Sequence, residues 1–177
     1  MKNRYFRHPA DSNPLIIQAP NLRKLYFSRC PKTGIAQAEV AAKTLASIPL
    51  SRIYVSGLPR TGQTADIINR NRGIPIYTDV RLNEIKTGFE GKPAGDYFAA
   101  TGHDRYNFSP PGGESVKELQ NRVTGFITEL HNVNEQSVLI VTHEETLKVF
   151  AAYFEHLNAD EMMALSYKNC EILKYSL

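Results

Sequence analysis

The chain has 177 residues, 42% of them hydrophobic and 22% charged, enough for one domain with a core that needs no disulfide staples. A net charge of +3 without a dense Lys/Arg block speaks against a nucleic-acid partner, and no apolar run has the length of a membrane span. The first residues lack the apolar stretch of a secretory signal, and Cys30 and Cys170 have no ligand spacing, so free thiols and a cytoplasmic location are expected.

In chain order, Arg4–Arg7 is expected to form a short first strand. Pro9 then pushes His8 toward extended geometry at its end. Ala10–Pro31 reads as irregular, punctuated by Pro14, Pro20 and Pro31, with two apolar pieces, Leu15-Ile16-Ile17 and Leu25-Tyr26-Phe27. Thr33–Ile48 carries apolar residues at steps of three and four and predicts a helix. Ile53-Tyr54-Val55 predicts a strand, and Pro59 suits the first turn of a helix running to about Asn71. Ile74–Thr78 predicts a short strand and Pro93–Thr101 a small helix.

Ser115 and Glu118 form the S-x-x-E pattern of a capping box, opening a helix through Val123, Phe126, Ile127 and Leu130. Ser137–Thr142 is a continuous apolar run, as in a strand buried on both faces. Thr146–His156 predicts a helix and Glu171–Tyr175 a final strand. Strands alternating with helices imply a three-layer α/β/α sandwich with a mainly parallel central sheet. His8, Ser56 and His143 then all fall at strand ends, which share one rim where such sheets gather their sites.

Five clusters follow one another: Arg7-His8, Ser56–Ala65 (SGLPRTGQTA), Leu82–Gly91 (LNEIKTGFEG), Pro110–Ser115 (PPGGES) and Val138–His143 (VLIVTH). In this order they resemble the histidine phosphatase superfamily, on its phosphoglycerate mutase-like branch of compact phosphatases. The resemblance runs from Arg7 to about Lys148. It implies a phosphoglycerate mutase-like fold over one domain, 1–177, with substrate-covering loops at 10–31 and 86–113. It also implies a metal-independent phosphomonoesterase of the histidine acid type, needing no cofactor and acting on a small phosphorylated substrate.

His8 is the implied nucleophile. A neutral imidazole attacks a dianionic phosphoryl group without charge repulsion and splits the displacement into two easier steps. Arg7 and Arg60 are implied to clamp the phosphoryl oxygens, since guanidinium binds oxygen pairs as a planar fork. Asn13 and His143 complete the implied phosphate contacts, with His143 also in the catalytic set. Glu84, in Leu82-Asn83-Glu84, is the implied proton donor, which predicts a raised pKa. Glu90 competes with it for the acid role.

Three departures stand out. Pro9 replaces the family's glycine, Asn13 lies one residue closer to the histidine than usual, and Glu144-Glu145 stand where Gly-Gly is common. Glu144 is therefore expected to point away from the phosphate or to face a positive part of the substrate, and its charge is a candidate for raising the pKa of His143. His143-Glu144-Glu145 lacks the second histidine of a zinc-protease motif, so no metal is expected. Three readings stand beside the phosphatase: mutase-like phosphoryl transfer, a phosphoprotein phosphatase, and a phosphate-binding regulatory module without turnover.

Overall fold

Strand β4, Ser137–Thr142, organises the molecule. In the computed structural model, which describes residues 13–18, 30–132 and 137–176, its last five residues are all buried. Their side chains alternate between two cores. Val138 and Ile140 pack with helices α4 (Val116–Leu130) and α5 (Glu144–Glu155). Leu139 and Val141 pack with helices α1 (Lys32–Leu45) and α2 (Pro59–Ile68). Each fully buried aliphatic side chain contributes about 1.5–3 kcal/mol, so a run without polar residues is what a strand sandwiched between helices requires.

The sheet has the order β3-β2-β4-β1-β5. Strands β1 (Asn13–Gln18) and β2 (Arg52–Val55) run parallel to β4, β3 (Ile76–Thr78) runs parallel to β2, and β5 (Ile172–Lys174) is antiparallel to β1. Helices cover both faces, as the alternating pattern predicted. A 3-10 turn, Val80–Leu82, follows β3. Helix α3, Ala94–Thr101, lies within the expected loop 86–113, and α6, Ala159–Ala164, follows α5.

Local chemistry sets the helix starts. Ser115 caps α4 in the predicted capping box, its hydroxyl accepting from the Glu118 amide. Pro59 opens α2. Helix α5 begins at Glu144, two residues before the predicted start, because His143 turns directly out of β4 and serves as its N-cap.

One expectation is corrected. The segment read as irregular contains β1, paired with β4 along its whole length. Its prolines obscured the strand, but β5 covers only Leu15–Ile17, so Pro14 lies where β1 has a neighbour on one side only. That is where a missing N–H is tolerated. The strand expected at Arg4–Arg7 lies outside the described residues. Among those described, no helix is long and apolar enough to cross a membrane.

Candidate active site at the carboxyl rim

Parallel strands bring their carboxyl ends to one rim. There β2 delivers Ser56, β4 delivers His143, the first turn of α2 delivers Arg60, and the segment after the 3-10 turn delivers Glu84. Ser56, Arg60 and His143 are each 2–3% exposed. The site is thus a buried polar cluster, in which every donor needs an acceptor.

Arg60 Nη2 lies 2.8 Å from His143 Nδ1. Guanidinium only donates, so Nδ1 accepts and Nε2 carries the ring proton. Nε2 lies 2.7 Å from Ser56 Oγ and donates to it. Ser56 Oγ also accepts from the Leu58 amide and passes its own proton to Thr61 Oγ1, 2.9 Å away, which donates to the Leu58 carbonyl. Desolvation, then repulsion from Arg60 and Arg122, holds the His143 pKa well below 6.5. The imidazole is neutral at physiological pH. The expectation that Glu144 raises this pKa is overturned. Its carboxylate instead accepts from the Tyr167 amide at 3.4 Å and Ser166 Oγ at 3.5 Å, pointing away toward the segment after α6.

Glu145 takes the inner position. Its carboxylate bonds Arg105 Nη2 at 2.6 Å and Lys148 Nζ at 2.9 Å. Arg105 is thus tied to Glu145. Glu84 is half-buried, with Oε1 accepting from the Ile85 amide at 3.0 Å. Burial, then the Glu145 charge, raises its pKa to about 7 despite the opposing pull of Arg60. A carboxyl that is half protonated near neutral pH fits a proton donor. Glu90, the competing acid, is occupied in its own loop by the Thr87 amide and hydroxyl.

The segment carrying Glu84 is pinned from several sides. Thr142 donates to the Leu82 carbonyl, Thr146 to the Asn83 carbonyl, and Asn83 Oδ1 accepts from the Gly57 amide. Arg122 of α4 donates to the carbonyls of Arg81, Asn83 and Glu84, and forms a two-pronged pair with Glu114. Sequence reasoning assigned no role to Ser56, Thr61 or Arg122. Ser56 belonged to the most specific motif; Arg122 carried no local signal.

Of the predicted site residues, the structure brings Arg60, Glu84 and His143 together. Arg7 and His8 lie outside the described residues. Asn13 is not brought to the rim. Its Cα pairs with Ser137, whereas Gln18 pairs with Thr142, which puts Asn13 about 17 Å down the strand. Among the described residues no group of three or more His, Cys, Asp or Glu could hold a metal ion.

Comparison with known proteins identifies the family and the fold. The histidine phosphatase superfamily (branch 1) matches residues 31–177. The 2,3-bisphosphoglycerate-dependent phosphoglycerate mutase of Thermoplasma acidophilum is 30% identical over 146 residues, covering 78% of this chain and 70% of that protein. The mouse (Mus musculus) 6-phosphofructo-2-kinase/fructose-2,6-bisphosphatase 1 is 30% identical over 136 residues, 71% of this chain. The chain spans only 26% of that longer relative's length. In fold, the chain is similar to the α-ribazole phosphatase of Shigella flexneri, with a TM-score of 0.82 at 22% identity, covering 92% of this chain and 89% of the other.

Proposed function

The chain belongs to the histidine phosphatase superfamily, and from that premise we propose that it hydrolyses a small phosphorylated metabolite through a covalent phosphohistidine. The reading rests on one observation: Glu84 is half-buried within the electrostatic reach of Arg60, the partner of His143, with its pKa raised to about 7. Arg60, with Arg7, holds the phosphoryl oxygens. An imidazole nitrogen of His8 bonds phosphorus as the ester oxygen leaves, and Glu84 gives that oxygen its proton. Water then attacks the phosphohistidine, its proton passes to Glu84, and phosphate departs. None of these steps uses a metal ion. The sequence relatives are named for bisphosphorylated sugars and glycerates, so such metabolites come first in a substrate screen.

A second reading, phosphate binding without turnover, is favoured by the strand register. Strand β1 reaches the rim with Gln18, and the next residues in sequence are Ala19 and Pro20. Asn13 starts about 17 Å below that rim, so it does not supply the phosphate contact expected of it there.

Phosphate release from p-nitrophenyl phosphate, from about pH 5 to about pH 8, separates the readings. Release that disappears in His8→Ala supports the hydrolase. Phosphate binding that is lost in Arg60→Ala, with no release by the wild type, supports the binding module. Equal release by wild type and His8→Ala removes His8 from the mechanism.

A further inference from the structure

We infer that Arg122, oriented by Glu114, is the positioning residue that holds the proton donor Glu84 in place; the inference rests on the hydrolase reading above. Arg122 spends its donors on one task. Nη1 donates to the Arg81 carbonyl at 2.6 Å, and Nη2 to those of Asn83 at 2.9 Å and Glu84 at 3.3 Å. Nε and Nη2 grip the two oxygens of Glu114 at 2.9 and 2.6 Å. Glu114 also receives the Lys86 amide at 2.9 Å and sends its own amide to the Lys86 carbonyl at 2.7 Å. Glu84 is thereby held from its own and the preceding carbonyls by Arg122, and from two residues beyond by Glu114.

Gly113 of the PPGGES segment and Gly88 opposite it allow this approach. A Cβ at Gly113 would lie 2.6 Å from the Thr87 carbonyl oxygen, and one at Gly88 would strike the Pro111 carbonyl. The two backbones meet without side chains between them, which carries Glu114 to Lys86 and within reach of Arg122. A planar fork is required, because lysine's single ammonium cannot span three carbonyls and a carboxylate together. General-acid catalysis needs its donor within hydrogen-bond reach of the leaving oxygen, and a displacement of about 1 Å costs on the order of 100-fold.

A loop that were merely anchored would treat all substrates alike. Positioning of the acid has a sharper signature, because p-nitrophenolate leaves without a proton and an alkoxide does not. The experiment compares kcat/KM for p-nitrophenyl phosphate and for glycerol phosphate in wild type, Arg122→Lys and Glu114→Gln. Both variants are expected to lose on the order of 100-fold on the alkyl ester and only a few-fold on the aryl ester. Glu114→Gln keeps the shape of the clamp, so the comparison survives if Arg122→Lys does not fold. Equal losses on the two esters, or no loss on either, overturn the inference. If wild type releases phosphate from neither ester, the hydrolase reading fails by itself. The positioning role is then read from 13C NMR of the Glu84 carboxyl. Its midpoint, about 7 in wild type, is expected to fall toward 4.5 in both variants as water reaches it. A midpoint unmoved in both overturns the inference.

Discussion

Replacing Glu84 by glutamine should make the protein more stable at alkaline pH than the wild type, relative to their difference in acid. Below 4.5, the ordinary value of this carboxyl, folded and unfolded chains both hold the proton and burial exacts no charge penalty. Between 4.5 and about 7 the unfolded chain ionises while the folded one keeps its proton, so stability falls as pH rises. Above about 7 the folded state carries a buried anion and the whole cost stands. The gap between the two values corresponds to roughly 3 kcal/mol, and because Glu84 is only half-buried, solvent screening reduces this to about 2–3 kcal/mol.

Glutamine fills the same space and has no proton to lose. Urea unfolding of both proteins, from about pH 4 to about pH 8, measures the difference directly. His143 works in the opposite sense. Its folded value lies well below 6.5, so its contribution is lost as pH falls through 6.5 and below. Because His143 is present in both proteins, subtraction removes most of its effect. A wild type–variant difference that stays flat from acid to alkali would refute the claim that Glu84 is buried as a neutral acid. So would a difference that moves in favour of the wild type as pH rises.

Other perturbations follow from particular contacts. Glu145→Gln should lower the Glu84 midpoint in a 13C titration more than Glu144→Gln does, because the Glu145 charge repels an ionised Glu84 more strongly than that of Glu144, which is turned toward Tyr167 and Ser166. Glu144→Gly should leave phosphate affinity unchanged in calorimetry, since its carboxylate serves Tyr167 and Ser166. Gly88→Ala, at a φ of +72° against the Pro111 carbonyl, should lower Tm and weaken activity together. Ser115→Ala removes the cap of α4 and should cost about 1 kcal/mol in chemical denaturation.

What the chain discloses before folding depends on whether the deciding interaction is local. Strand β4 could be bounded to the residue because a strand buried on both faces needs an unbroken apolar run. Helix α4 was legible because a capping box is closed by two residues three positions apart. Arg60, Glu84 and His143 were readable as a group because each lies in a short motif that resembles one of the superfamily's. Strand β1 was hidden because proline is a local signal, whereas the neighbours that tolerate Pro14 arrive from residues 137–142 and 172–174.

Arg122 is the extreme case. Nothing in its own helix separates it from any solvent-facing arginine, and its meaning is supplied by three carbonyls about forty residues earlier. His143 shows a related limit. Its identity was readable, but its protonation state follows from Arg60 and Ser56 reaching it across the rim. Residue type can therefore nominate an acid or a base, while its pKa belongs to the fold. This is why the decisive tests concern the state of the Glu84 proton rather than the presence of Glu84.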